Sequence, residues 1–471
     1  MPEETKKTQL AIIGAGPGGY AAAFHAADLG LNVTLIDPKE NPGGVCLYHG
    51  CIPTKALLHF ADVKHETHLA KDWGLEFKEV STNLEKLRTW KEQVVSRLTK
   101  GLGQLTKSRK IEHIRGKAVF TGNNSLEITG KDNKKSSLAF EKAIIATGAR
   151  SRPLPGIDFD HEQILSSMSA LELQDAPKNL LVVGAGYIGL EMGAIYQALG
   201  SDITIVEATS GILPGLDEDL AEVFRKERKA LLKGARFNTK VVDASKEKKK
   251  LRVTFENEEG KKEKATFDKI LVAIGMLPNT ENIGLDKAGI KTDDKGFIRV
   301  NEFRQTNKEH IYAIGDVAGE PLLAHKASHE GRVAAEHLAG HKTAYEPKAI
   351  PSVVYVGLAW VGLTENMARE QGRKVKVTRF PWGASGRAVA MGRKHGLTKL
   401  IFDPGNDRLL GAAFAGNGSE SLVAEAALAI EMGTVAKDLE LTIHPHPTLS
   451  ETIMEAAEMY FGQATHTLKK K

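Results

Sequence analysis

Cys46 and Cys51 are the only cysteines in a chain of 471 residues, and they stand five apart in Gly43-Gly44-Val45-Cys46-Leu47-Tyr48-His49-Gly50-Cys51-Ile52-Pro53-Thr54-Lys55. So few cysteines exclude a multi-disulfide scaffold and a four-cysteine zinc site. On a regular helix residues five apart rise about 7.5 Å, beyond the ~7 Å Cα separation that a disulfide spans. Bridging therefore requires a distorted segment, and Gly43, Gly44 and Gly50 supply the freedom for one. Pro53 suits the first turn of a following helix, whose positive end favours a thiolate at Cys51. Two unrelated buried thiols, or half a zinc site, are the alternative readings of the pair.

A second group lies in His444-Pro445-His446-Pro447-Thr448-Leu449-Ser450-Glu451. A single one of 16 histidines carries little information, and a structural histidine is the usual case. His446 nevertheless has an acid five residues on, and Pro447 fixes the chain where a helix can begin. A carboxylate paired with imidazole sets its tautomer and raises its basicity, which is what deprotonation of a thiol requires.

The elements that must position these groups include an internal repeat. Leu10 to Asp37 reads as apolar strand, glycine turn, helix and strand ending in an acid, and Leu180 to Glu207 reads the same way. Gly14, Gly16 and Gly19 form G-x-G-x-x-G with Asp37 23 positions after the first glycine, and Gly184, Gly186 and Gly189 repeat the spacing with Glu207 23 positions on. One such motif is a weak signal, but two in register are strong. The first glycine permits the tight turn, the second admits a pyrophosphate, and the third allows close helix packing beside the helix's positive end. The acids suit ribose hydroxyls and disfavour a 2′-phosphate, so the second site reads as NAD rather than NADP.

Lys117 to Leu138 and Leu251 to Phe267 alternate like hairpins. Each leads into an apolar strand ending in glycine, Ala143 to Gly148 and Ile270 to Gly275. Boundaries are expected at Arg152 to Gly156, Pro278 to Asn282 and Pro351. The last ~120 residues combine strands (Val353 to Tyr355, Lys399 to Phe402) with a helix at Ser419 to Met432, an α+β unit.

Composition narrows the function classes. Gly at 46 of 471, 26% charged and 41% hydrophobic residues exclude collagen, coiled coil and disorder. The balance of 64 Lys+Arg against 59 Asp+Glu, net +5, is too small to imply nucleic-acid binding. The basic runs at Lys246 and Lys248 to Lys250, at Lys261, Lys262 and Lys264, and at Lys469 to Lys471 read as hairpin ends and a terminal tail. Lys6 and Lys7 before Leu10 to Ala23 imitate a secretory signal, but the glycine spacing argues against one. No apolar window elsewhere is long enough for a membrane span, and a cytoplasmic protein is expected.

GAGPGGY, GGVCLYHGCIPTK, IIATGAR, VVGAGYIGLE, IYAIGDVAGEPLLAHKASHEG and HPHPTLSE, in this order, resemble the pyridine nucleotide-disulfide oxidoreductases over essentially the whole chain. The resemblance implies an α/β fold: two Rossmann-like dinucleotide-binding domains plus a C-terminal α+β dimerisation domain. By this resemblance the chain divides into an FAD-binding domain (1–150), an NAD-binding domain (151–278), a central domain completing the FAD site (279–350) and an interface domain (351–471). FAD would lie against Gly14, Gly16, Gly19, Asp37, Lys55, Gly148, Asp316 and Ala324, with a helix beginning near Leu322 aimed at the flavin. NAD would lie against Gly184, Gly186, Gly189, Glu207 and Gly275.

In the same way Cys46 resembles the interchange thiol, Cys51 the thiol that exchanges electrons with the flavin, and His446 the base held by Glu451 and contributed to the partner subunit's site. Lys55 would pair with Glu191 near the flavin; a solvated lysine and a helix-surface acid are the plainer alternatives. The resemblance implies oxidation of a dithiol carried on a lipoyl group, with NAD⁺ reduced, in a homodimer. Its partners would be lipoyl domains or the core of 2-oxo acid dehydrogenase complexes, or the lipoyl carrier of glycine cleavage. Relatives acting on glutathione with NADP are disfavoured by Glu207, and relatives acting on mercuric ion by the absence of further cysteines. A flavoprotein serving only as a binding subunit is disfavoured because Cys46, Cys51, His446 and Glu451 are all present. Three departures stand out: Asp37 in place of a longer Glu, Tyr48-His49 in place of Asn-Val, and Tyr355 to Trp360, which lacks Thr-x-Pro-Glu, looks two residues shorter and is expected to hold no catalytic group.

Overall fold

The run Leu10-Ala11-Ile12-Ile13 has no polar face, the pattern of a parallel strand covered on both sides. In the computed structural model, which describes residues 6–78, 80–393 and 395–468, these residues are buried in the strand Lys6–Ile13. That strand pairs in parallel with Val33–Ile36 on one side and Lys135–Ile145 on the other, in registers that set Ile13 opposite Ile36 and Ile145. Glu112–Ile114 extends the sheet beyond Val33–Ile36. The expected Lys117 to Leu138 hairpin is part of a three-stranded antiparallel meander, Gly116–Gly122, Ser125–Gly130 and the first half of Lys135–Ile145. The second half of that long strand takes Ile311–Ala313 as a parallel neighbour, so residues after 279 enter the first sheet. The helix Ala324–Leu338 packs beside Pro17–Asp28 so closely that a side chain on Gly331 would strike the Gly18 carbonyl.

The second unit repeats this plan with fewer strands. Asp202–Val206, Asn179–Val183, Lys269–Val272 and Ile164–Leu165 form a parallel sheet, flanked by an antiparallel ribbon of Thr239–Glu247, Lys250–Asn257 and Lys262–Phe267. The lysine run at 246–250 lies where the first two ribbon strands meet, and Lys246, Lys250 and Lys262 pair with Asp160, Asp268 and Glu256. Lys469 to Lys471 lie outside the described residues. Ala149–Ser151 and Met276–Pro278 pair antiparallel where the chain passes between the two units.

The remaining strands, Ser352–Val354, Leu358–Gly362, Leu409–Ala415, Leu397–Phe402 and Lys376–Pro381, make one antiparallel sheet. Its core takes in Phe380, Trp382, Phe402 and Phe414 and is covered by Ser419–Met432, the helix expected from sequence, and by Glu451–Glu458. Among the described residues no helix is long and apolar enough to cross a membrane.

Candidate active site

The two glycine turns are built alike, hydrogen bond for hydrogen bond. Gly14 N–H donates to Ile36 O and Gly184 N–H to Val206 O, both at 2.8 Å. Ala146 N–H donates to Ile13 O and Ala273 N–H to Val183 O, again both at 2.8 Å. Ala15 N–H meets Asp37 Oδ2, and Ala185 N–H meets Glu207 Oε2, at 2.9 Å in each case. The acids that end the second strands therefore clamp the turns from behind. The shorter Asp37 keeps this contact and adds the Lys39 N–H at 2.9 Å.

Three glycines in each turn answer to two different demands. A side chain on Gly14 or Gly184 would strike the carbonyl of Ala146 or Ala273, and one on Gly19 or Gly189 the carbonyl of Gly14 or Gly184. The protein's own packing requires those four. Gly16 and Gly186 have φ of −70° and −74°, which any residue adopts, and a Cβ there would meet nothing closer than 3.9 Å at Gly16 and nothing within 4 Å at Gly186. No protein atom explains the second glycine, whereas a pyrophosphate set against the N-terminus of Pro17–Asp28 or Tyr187–Leu199 does. Both turns fit a dinucleotide on this ground. Gly148 and Gly275, at φ +70° and +118°, lie in the loops that follow the neighbouring parallel strands, at the same sheet ends as the glycine turns, and hold the crossing between units through Asn279 N–H to Gly148 O and Arg152 N–H to Gly275 O.

The cysteine segment docks on the first turn. Gly43 N–H donates to Ala15 O at 2.8 Å, and a Cβ on Gly44, at φ +57°, would run into Gly16 Cα. Cys46 lies within the short helix Gly44–His49, the chain breaks at Gly50, and Cys51 opens the helix Cys51–Leu69 with Pro53 in its first turn. The expected distortion is thus a change of helix at Gly50. A Cβ there would crowd the Val45 carbonyl at 2.9 Å. Both thiols are free, and Cys46 donates to Cys51. That bond and the Lys55 ammonium outweigh burial and lower Cys51 to about 7, while the same bond, with burial, pushes Cys46 up. The pair holds one proton on Cys46 and readily carries a thiolate on Cys51.

Lys55, one turn along the same helix, donates to Glu191 Oε2 at 2.8 Å. Glu191 is 2% exposed, far from the helix-surface acid of the plainer reading. Its other oxygen accepts the Tyr355 N–H at 2.9 Å, and Lys55 Nζ lies 4.4 Å from the centre of the Tyr355 ring. The Tyr355 to Trp360 segment, expected to hold no catalytic group, forms a tight hairpin through Gly357 and puts Tyr355 on this ion pair. Tyr48 and His49 contact the loop after Val33–Ile36: Tyr48 donates to Asn41 O at 3.0 Å, and His49 Nε2 lies 3.4 Å from Lys39 Nζ. Burial and then the Lys39 charge lower His49 from its ordinary value.

Asp316 lies in the turn Gly315–Ala318, just after Ile311–Ala313. Its carboxylate accepts no hydrogen bond from the described residues, and burial raises its pKa against the pull of Lys326. The turn is held from behind by Glu330, which is fully buried and takes the Gly315 N–H at 2.6 Å, Arg304 at 2.9 Å and Lys326 at 3.1 Å. The helix expected near Leu322 starts at Ala324, with Leu323 as its cap. Sequence reasoning missed Arg304, Lys326 and Glu330.

His446 Nδ1 lies 2.8 Å from Glu451 Oε1, and the imidazole is 76% exposed. The helix begins at Glu451, four residues later than Pro447 suggested. The other Glu451 oxygen accepts the Thr448 N–H at 2.8 Å. That bond and His446 overcome burial and hold the Glu451 carboxyl below its usual range.

A double Rossmann-like fold with a cysteine pair docked on its first glycine turn defines a flavin- and nicotinamide-linked disulfide oxidoreductase. The pyridine nucleotide-disulphide oxidoreductase profile matches residues 8–331 and the dimerisation-domain profile of the same name matches 350–457, so the chain belongs to that family. It is 44% identical over 467 residues to a dihydrolipoyl dehydrogenase of Vibrio parahaemolyticus, covering 99% of this chain and 98% of the relative. A dihydrolipoyl dehydrogenase of Thermus scotoductus is 46% identical over 469 residues, covering 99% and 100%. Among solved structures, LpdA of Mycobacterium tuberculosis superposes with a TM-score of 0.89 at 25% identity over 96% of this chain and 99% of that one. A copper(II) complex of the flavoprotein disulfide reductase RclA of Escherichia coli gives 0.85 at 28% identity over 97% and 100%.

Proposed function

We propose that this chain is a dihydrolipoyl dehydrogenase: it oxidises protein-bound dihydrolipoamide through Cys46 and Cys51, with FAD as the internal acceptor and NAD⁺ as the final one. The observation that carries the reading is the docking of Gly43 and Gly44 on the first glycine turn. This sets a thiol pair of unequal acidity beside a turn suited to a dinucleotide. Near-full-length identity of 44–46% to dihydrolipoyl dehydrogenases supports the substrate.

FAD would be held by Gly14, Gly16, Gly19, Asp37, Lys55, Gly148, Asp316 and Ala324, and NAD by Gly184, Gly186, Gly189, Glu207 and Gly275; together they supply two-electron and hydride acceptance. The chain's own residues handle sulfur and protons. His446, oriented by Glu451, takes a proton from a substrate thiol. The thiolate attacks Cys46 of the oxidised pair, and the bond to Cys51 breaks with Cys51 leaving as thiolate. The Lys55 ammonium favours the thiolate at Cys51, which makes Cys51 the better leaving group and supports the outer role for Cys46 and the inner one for Cys51. The second substrate thiol then displaces Cys46 and passes its proton to the departing Cys46 sulfur, so two substrate thiols are oxidised to a disulfide and the enzyme pair is left as a Cys46 thiol and a Cys51 thiolate. Lys55 stabilises the Cys51 thiolate.

The family's dimerisation domain makes the unit a homodimer, in which the exposed His446–Glu451 pair would serve the partner subunit's thiols. The dithiol would arrive on lipoyl domains of 2-oxo acid dehydrogenase complexes or on the lipoyl carrier of glycine cleavage. NAD⁺ reduction by free dihydrolipoamide on FAD-loaded protein, with the NADP⁺ and glutathione pair alongside, tests the reading. Turnover with the first pair alone supports it. No turnover by an intact, FAD-loaded dimer overturns it.

A further inference from the structure

Two residues before His446 stands a second histidine with a different environment. The His444 side chain is 4% exposed, against 76% for His446. Its Nδ1 lies 2.9 Å from the Thr442 carbonyl and its Nε2 lies 2.8 Å from Glu425 Oε1. A carbonyl and a carboxylate only accept hydrogen bonds, so a neutral imidazole, with one N–H, leaves one of these contacts as a lone pair facing a lone pair. Both are satisfied only when both ring nitrogens carry protons.

We infer that His444 is held as an imidazolium, a positioning residue that ties the His444–Pro447 segment, and His446 within it, to the helix Ser419–Met432. The groups facing it come from three elements: Glu425 on Ser419–Met432, the Thr442 carbonyl at the end of Ala436–Leu441, and Glu451 at the start of Glu451–Glu458. The Glu425 hydrogen bond, opposed by burial and aided by Thr442, raises His444 above its ordinary value, in accord with this geometry. The functional consequence follows from position. While both ring nitrogens of His444 carry protons, the segment that bears His446 is held at two points, to Thr442 and to Glu425; with one proton lost, one of these anchors is lost too.

This consequence rests on the proposed dithiol oxidation; the charge state does not. Two readouts separate them. In the FAD-loaded dimer with ¹³C-labelled histidine, the His444 ring is expected to show the shift of a doubly protonated imidazole at pH 7 and to lose its second proton above the ordinary value, and to titrate near the ordinary value in Glu425→Gln. In Glu425→Gln, kcat/KM for dihydrolipoamide is expected to match the parent at pH 6 and to fall about threefold below it at pH 8, where His444 has lost its second proton and one anchor of the segment. A His444 ring that titrates near 6.5 in the parent overturns the inference whatever the kinetics show. So does an equal loss at every pH in Glu425→Gln, because packing alone would produce it. Failure of the parent to oxidise dihydrolipoamide at any pH refutes the function and leaves the resonance to decide the charge. If Glu425→Gln does not fold, the parent resonance still decides it.

Discussion

Lys55 donates to Glu191 across 2.8 Å, joining the helix that begins at Cys51 to the helix that follows the second glycine turn. The contact ties the thiol pair to the second nucleotide unit and keeps a cation near Cys51. In Lys55→Met the Cys51 thiolate is expected to titrate above about 7, toward the ordinary thiol value, because the cation that favours the charged form is gone. Glu191, still accepting the Tyr355 N–H, loses its counter-charge at a cost of about 1–3 kcal/mol. Thiolate absorbance against pH in the reduced protein and thermal unfolding measure the two effects. An unmoved thiolate titration would show that the Cys46 hydrogen bond alone sets Cys51.

Glu207 does two things at once. Its oxygens clamp Ala185 N–H at 2.9 Å and Thr209 N–H at 2.8 Å, and its charge faces the end of the second glycine turn. Glu207→Arg is expected to raise the NADP⁺/NAD⁺ ratio of kcat/KM by on the order of tenfold, since a 2′-phosphate is repelled by a carboxylate and attracted by a guanidinium. Glu207→Gln keeps an acceptor for Ala185 while removing the charge, and should give a smaller rise with less loss of thermal stability. The same ratio in all three proteins would assign the choice of nucleotide to another residue.

Both turns, the cysteine break and the His446–Glu451 pair were legible because backbone geometry dictates their spacing. A tight turn, an unhindered amide and a helix start each demand a particular residue at a particular offset, whatever lies elsewhere. Tyr355, Glu330 and Arg304 were not, since their respective partners, Lys55, Gly315 and Glu330, are brought to them only by the packing of separate segments. Lys399 left one trace: a lysine inside the apolar strand Leu397–Phe402 is out of pattern, and such a residue must find anions when buried.

Lys399 does find them. It is fully buried, with Asp217 Oδ2 at 2.7 Å, Asp219 Oδ2 at 3.0 Å and Glu365 as its third partner, while Arg379 reaches Asp219 and Glu365 from outside. Asp217 also accepts the N–H groups of Glu365 and Asn366 at 3.0 Å each, so an acid of the second unit caps a helix of the C-terminal sheet unit. Lys399→Met leaves three carboxylates facing one arginine and is expected to cost about 3–5 kcal/mol. The pH dependence carries the sign. Burial raises Asp219, but Arg379 and Lys399 outweigh it and hold the group below its ordinary value, so its contribution is complete above about pH 4 and is lost as pH falls through the lowered folded-state value. Denaturant unfolding of parent and variant should therefore show a wide gap at pH 7 that narrows toward pH 3, as Asp219 takes up its proton and no longer needs the ammonium. A gap of constant width would mean that the methionine disturbs packing rather than charge.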